Sequence, residues 1–169
     1  MATTLRTVVT AMIEATYKNP LDLTTTLDSL LKKTRIELSN GTSTSAADRL
    51  FHDQRTLTAS GTEDLDLAGS LSNAFGSTLT LVELRAVLIT ASSANTNNVV
   101  LSRPASNGVP LFSAAGDAIA IPPGGVFLWA CGADGKVTVT AGTGDLLTVT
   151  NSSSGTSVTY DVVIVGTSA

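Results

Sequence analysis

The chain has 169 residues, a formal net charge of -4 and a pI near 4.7, with 43% hydrophobic, 14% charged and only 4% aromatic residues. This length suits one domain with a real core plus a small extension. The acidic balance and the scatter of the ten basic residues argue against a nucleic-acid groove, which needs clustered Lys and Arg, and the one tight basic group is Lys32, Lys33 and Arg35.

The first 45 residues are expected to form an N-terminal arm. Residues 7–18 fit a strand and a helix almost equally, and their β-branched residues favour a strand. The leucines of residues 21–33 have helical spacing and predict one short helix, followed by a strand over residues 34–39. Glu14 interrupts the apolar start, so we expect no secretion signal, and no stretch is long enough for a membrane helix.

A small polar linker, residues 41–47, is the predicted boundary, and residues 46–169 are expected to form a β-sandwich domain. Its predicted strands cover residues 48–58, 62–67, 78–91, 99–102, 119–121 and 126–131. Strand 78–91 is expected to be the longest, with Leu84, Ala86 and Leu88 toward the core and Glu83 and Arg85 outward. Strand 126–131 is expected to be buried.

The end of the chain has the clearest strand pattern. Residues 137–140, 146–150 and 158–165 are β-branched or aliphatic runs separated by Gly- and Asn-containing turns, and Asp134-Gly135 is a hairpin signal before them. We expect residues 158–165 to form the closing strand, amphipathic at one end and buried on both faces at the other, with the two preceding runs beside it. About eight strands with long connections predict an antiparallel sandwich of jelly-roll type.

The residues able to do chemistry are few. His52 is the single histidine and is interpreted as a surface or interface residue. Glu63 and Asp64 should face opposite sides of a strand, so they do not form a catalytic carboxylate pair. Asp64 and Asp66 lie where a turn begins, and no partner acid is visible for them. Asp134 and Asp145 have too few oxygen ligands around them for a calcium site, and Gly142 and Gly144 are explained as glycines of a β-turn. Cys131 is expected to be a buried thiol without a visible cationic neighbour, and Trp129 to be part of the core. We therefore predict no catalytic, cofactor or metal site and no enzymatic activity.

Six segments carry a resemblance to a known family. These segments are ADRLFHDQRTL (47–57), TEDLDLAG (62–69), SANTNNV (93–99), IPPGG (121–125) and VTAGTGDL (139–146) with GTSVTYD (155–161). From Ala47 onward the chain resembles small structural proteins encoded by tailed bacteriophages and prophages. The first forty residues match much less clearly, and no functional residue is transferred.

The resemblance implies a β-rich virion component, assembled in the bacterial cytoplasm, on the capsid surface or in the tail. The first hypothesis is a capsid cement or decoration protein that binds the major capsid protein and neighbouring copies of itself, as a homotrimer by analogy, without contacting nucleic acid or membrane. The alternative is a tail or fibre domain that binds a host receptor or saccharide, against which the small number of aromatic residues counts.

Overall fold

The computed structural model describes residues 4–132 and 135–169, and in this part of the chain every regular element is a strand. All paired strands are antiparallel except the short β2–β3 pair, which is parallel. The strands are β1 (Thr7–Pro20), β2 (Thr25–Asn40), β3 (Ala46–Ala47), β4 (Arg49–Leu57), β5 (Thr62–Asp66), β6 (Glu83–Ala91), β7 (Val99–Ser102), β8 (Ala118–Ile121), β9 (Val126–Ala130), β10 (Val137–Thr138), β11 (Leu146–Asn151) and β12 (Val158–Thr167).

β1 and β2 form a long hairpin, called the hairpin below. They pair without interruption from Thr7 opposite Leu38 to Pro20 opposite Thr25, and the amide of Leu21 closes the turn by donating to the carbonyl of Thr24 (2.7 Å). The strand predicted at residues 7–18 is confirmed, whereas the helix predicted at residues 21–33 is wrong. Its leucines have helical spacing, but the backbone of β2 pairs with β1, and this non-local pairing overrides the local pattern.

The other two sheets form the body of the molecule. One has the order β4-β12-β6, with β9 and β10 placed along the remaining edge of β6. The second has the order β5-β11-β7-β8. β12 is therefore a central strand between β4 and β6, and the prediction that the two preceding runs lie beside it is wrong: β10 pairs with β6, and β11 belongs to the other sheet.

One apolar core lies between the two body sheets. Its buried side chains come from both of them, and Ile89, Leu101, Leu147, Val162 and Ile164 are all fully enclosed. β9 is only half-buried, contrary to expectation, because its alternate residues leave the core and Val126 is 61% exposed. The predicted Ala133–Lys136 turn includes Ala133 and Asp134, which lie outside the described residues.

β6 differs from the predicted strand 78–91 in its length and in which side chains point to the core. It begins only at Glu83, and a bulge opposite the Val165–Gly166 step leaves Arg85 without a partner on β12. The extra residue reverses the alternation, as a bulge does. Leu84 therefore faces the main core, Ala86 faces away from it, and Arg85 is 3% exposed rather than outward.

A second, smaller core lies on the outer side of the five-stranded sheet. Leu38 of β2 and Ala47 of β3 pack there against Ala86 and Val165, with Val9 and Ile36 of the hairpin beside them. This contact buries the second face of β12 near its end. The prediction that the last strand is amphipathic at one end and buried on both faces at the other is confirmed.

Candidate interaction surface

The distal part of the hairpin exposes many large apolar side chains. Every residue from Thr10 to Arg35 is exposed. The large apolar residues in this stretch, with their exposed fractions, are Met12 (57%), Ile13 (66%), Tyr17 (76%), Leu21 (50%), Leu23 (99%), Leu27 (59%), Leu30 (53%) and Leu31 (65%). Exposed apolar area of this extent is uncommon in a monomer and is typical of interaction surfaces.

The register divides the hairpin into two faces. Directly opposed residues share a face, so one face carries Val9, Ala11, Ile13, Ala15, Tyr17, Leu30 and Ile36 with only two charged residues, Asp28 and Lys32. We call it the apolar face. The charged face carries Glu14, Lys18, Lys33, Arg35 and Glu37, although Met12, Leu27 and Leu31 also lie on it. Neither face of the distal part is covered by residues that the structure describes.

The base of the hairpin is fixed to the body. Leu38 is 1% exposed in the smaller core, and the side chain of Asn40 accepts a hydrogen bond from the amide of Leu5 (2.8 Å). The amide of Gly41 donates to the carbonyl of Ala47 (3.2 Å). The hairpin is thus held firmly at one end and free of the rest of its own chain at the other.

The long edge of β1 has none of the described strands beside it. The sheet order β1-β2-β3 leaves β1 at the edge, and β3 pairs only with Ser39 and Asn40 of β2. Edge strands usually carry bulges, prolines or inward-facing charges that block further pairing. β1 has Pro20 only at its end and is paired without a bulge, so its backbone groups are available to another strand.

His52 lies on the outer side of β4 and is exposed, as interpreted from the sequence. It lines a cleft of about 620 Å³ beside the base of the hairpin, together with Asp48, Ser77 and Phe75. Asp48 is already held by Arg49 (2.9 Å) and the Ser168 hydroxyl (2.6 Å), and His52 makes no side-chain hydrogen bond within the described chain. The cleft therefore holds no assembled acid–imidazole–hydroxyl relay of the kind that hydrolases need.

Glu63 and Asp64 face opposite sides of β5, as predicted. Glu63 accepts hydrogen bonds from Arg55 (2.5 Å) and from the hydroxyl of Tyr160 (2.7 Å), whereas Asp64 accepts one from Thr148 on the other face. Burial and the contact with Glu63 raise the pKa of the Tyr160 hydroxyl. Asp66 accepts from the amide of Ala68 and closes a turn. These carboxylates are used in structural contacts.

The remaining candidates are also used structurally. Asp145 accepts from the amide of Gly142 (2.5 Å) within its turn, and Trp129 packs against the main core. Cys131 lies beside Arg85, a cationic neighbour that the sequence did not reveal, yet burial dominates and raises the pKa of its thiol. Among the residues that the structure describes, no group of three His, Cys, Asp or Glu side chains is placed to hold a metal ion.

The predicted basic group does not form one patch. Lys32 lies on the apolar face of the hairpin, while Lys33 and Arg35 lie on the charged face, where Arg35 is paired with Glu37. The strand conformation separates neighbours that a helix or loop would bring together.

Neither a family model, nor a curated protein, nor a solved structure matches this chain. Within residues 4–132 and 135–169, no helix has the length and hydropathy of a membrane span. The hairpin, with its exposed apolar side chains, is the candidate functional surface. The sequence predicted this segment only as an N-terminal arm.

Proposed function

We propose that this chain is a non-enzymatic structural protein of a bacteriophage virion, a capsid cement or decoration protein that binds and braces the assembled capsid. The observation that carries the proposal is the exposed, partly apolar hairpin anchored at its base. At roughly 3.4 Å per residue, its paired strands extend over about 45 Å. An element of this length reaches well beyond its own body and adds contact area to neighbouring subunits.

The strand order of the body supports a jelly roll, an architecture found in viral capsid proteins among others. Without the two-residue strands β3 and β10, the described part of the body has eight strands. The hydrogen-bonded pairs include β4 with β12, β5 with β11, β6 with β9 and β7 with β8. Among these eight strands the first pairs with the eighth, the second with the seventh, the third with the sixth and the fourth with the fifth. This nested pairing results when one long antiparallel ribbon is rolled up. The fold alone does not determine function.

The proposed partners are the major capsid protein and neighbouring copies of this chain, with a homotrimer as the body's assembly by analogy with other virion proteins. The low charge suits repeated contact with flat protein surfaces, and neither nucleic acid nor membrane is a proposed partner. In this role the protein does no chemistry. Its contribution is to place strand edges and apolar side chains against neighbours and so raise the force or temperature at which the shell opens.

The test is binding to capsids that lack this protein. Purified full-length chain should sediment with such capsids and raise the temperature at which they release DNA, and cryo-electron microscopy should show its density on the capsid lattice. The matched variant replaces Ile13 and Leu30, both on the apolar face, with Ser, and should bind at least about tenfold more weakly. Equal stability of capsids with and without the protein would reject the proposal.

The alternative, a tail or fibre domain that binds a host receptor or saccharide, is favoured by one observation. Phe75 is 81% exposed and lines the 620 Å³ cleft together with Asp48, Arg49 and Asn73. An exposed ring with polar neighbours suits stacking on a sugar. Density only at the tail in the same cryo-electron microscopy maps, with a Phe75→Ala variant that loses binding to host cells, would support this alternative over cement.

A further inference from the structure

The sequence of β1 is partly palindromic about Ile13. Reading outward in both directions, Ala11 corresponds to Ala15, Thr10 to Thr16, and the apolar Val9 to the apolar Tyr17, whereas Met12 corresponds to Glu14 and Val8 to Lys18. In a two-fold symmetric contact residue i of one copy meets residue j of the other and j meets i, so these positions lie opposite each other. Among the described strands β1 is also one whose edge is open along its whole length.

We propose that β1 of one copy pairs antiparallel with β1 of a second copy, with the two Ile13 residues opposed at a two-fold axis. The inference rests on the proposed function, in which the hairpin is the part that reaches other chains, and it names one of those chains. The product is a four-stranded sheet of order β2-β1-β1-β2. Addition of a strand to an open edge is a common mode of protein recognition.

This register matches the side chains on both faces. On the apolar face Ile13 meets Ile13, Ala11 meets Ala15, and Val9 meets Tyr17, which is a favourable aromatic and β-branched pair. On the charged face Thr10 meets Thr16, Met12 meets Glu14 and Val8 meets Lys18. No two like charges are directly opposed.

The two neighbouring registers are less favourable. Centring the pairing on Glu14 places the two Glu14 carboxylates opposite each other. Centring it on Met12 places Lys18 opposite Arg6, which lies just before β1. Like charges directly opposed destabilise a strand pair, so charge disfavours the first of these registers within β1 and the second at its end. In the register centred on Ile13, Pro20, which lacks an amide hydrogen, lies just beyond the paired region.

The length of the contact also fits. β1 has 14 residues, longer than the 5–6 residues of a typical strand, and its whole length lies on the open edge. A two-stranded hairpin is marginal alone, whereas four strands with one apolar face can be stable. Pairing with a second copy therefore supplies the order that the distal hairpin does not obtain from its own body.

Register-specific disulfide formation tests the proposal in full-length protein with Cys131→Ser as background. Ile13→Cys should form a covalent dimer under mild oxidation. Ala11→Cys alone and Ala15→Cys alone should not, because each thiol is then far from its symmetry mate, but a mixture of the two should cross-link. We expect at least about a tenfold difference in cross-linked fraction between matched and unmatched cases, since disulfides need Cα atoms within about 7 Å. Similar cross-linking of all variants, or none in Ile13→Cys, would overturn the pairing.

The assembly mass gives a second readout. Ile13→Lys should halve the mass measured by light scattering, because two ammonium groups meet at the axis, and mixing it with Ile13→Glu should restore the mass. Met12→Lys is the matched control: it makes the same change one residue away, opposite Glu14 of the other copy, and should keep the full mass. If Ile13→Lys keeps the full mass, the pairing is wrong.

The same variants separate this inference from the proposed function. If Ile13→Cys fails to cross-link but still sediments with capsids, the two-fold pairing is rejected and the cement role stays intact. Register-specific dimers that ignore capsids would uphold the pairing and reject the cement role.

Discussion

β2 of the hairpin and β12 of the body are both long strands rich in apolar and β-branched residues, but their surroundings are opposite. β12 is flanked by β4 and β6 and lies between two cores, so seven of its ten residues are buried. β2 has β1 on one edge and nothing over either face until its base, so of its sixteen residues Leu38 alone is buried. Apolar content alone therefore does not tell a core strand from an interaction strand. The difference lies in what covers each face.

This contrast divides the molecule by where its stability arises. The body buries its apolar side chains within one chain and should be stable by itself. The hairpin leaves comparable side chains in water and should gain its order on contact with other molecules. Four experiments on the isolated chain test this difference between the body and the hairpin. They are ordered from the largest expected effect on stability to the smallest.

Shortening a core side chain should have the largest effect. Ile164→Ala should lower the free energy of unfolding by about 2–5 kcal/mol, because Ile164 is fully buried between the body sheets. Leu30→Ala in the hairpin is the matched control and should change it by less than about 0.5 kcal/mol. Urea denaturation of both variants measures the two values. Equal losses would mean that the hairpin is buried in the isolated chain.

Removing the charge of Glu63 should have the next largest effect. Glu63→Gln weakens the contacts to Arg55 and Tyr160 inside the body, and since its side chain is 22% exposed we expect a loss of about 1–3 kcal/mol. Asp64→Asn, the adjacent carboxylate on the opposite face, should cost less than about 0.5 kcal/mol. A larger loss in Asp64→Asn, again by urea denaturation, would contradict the assignment of faces.

The sequence predicted the body better than the hairpin. Alternation in residues 62–67 and 158–165 predicted both strands, and in residues 158–165 it also predicted the change from an amphipathic end to an end buried on both faces, because the residue pattern itself changes there. It failed at Arg85, where a bulge opposite β12 changes the phase, since a bulge depends on the partner strand and leaves no mark in the local pattern.

Of the two strands of the hairpin, the sequence predicted β1 but not the distal part of β2. β-branched residues identified β1, but Leu23, Leu27, Leu30 and Leu31 indicated a helix because their spacing suits one. What decides between helix and strand there is the fourteen-residue pairing with β1, a non-local interaction. Exposure on both faces was not predictable either, because a pattern of apolar residues says what should be covered and not what covers it.

The third experiment uses the pH dependence of stability to test the contact between Glu63 and Tyr160. Burial and Glu63 raise the pKa of Tyr160 above the value of about 10 that a tyrosine has in an unfolded chain. Above that pH the unfolded chain loses the proton that the folded chain keeps, so stability should fall as pH rises beyond about 10. Tyr160→Phe should make the fall shallower in thermal unfolding, whereas Tyr17→Phe in the exposed hairpin serves as control. An unchanged slope in Tyr160→Phe would show that other groups cause the fall.

Shortening the hairpin should have the smallest effect on the stability of the isolated chain. Residues 11–34 can be replaced by Asn-Gly, since Thr10 and Arg35 are directly opposed and a two-residue turn can join them. The removed residues are all exposed, so the free energy of unfolding should change by less than about 1 kcal/mol. Leu38→Ala at the buried base, which keeps the full length, should cost more. The shortened chain should at the same time lose binding to capsids and to other copies. A chain that loses binding while keeping its stability would show that the distal hairpin is an interaction element, and a chain that unfolds would show that it is part of the fold.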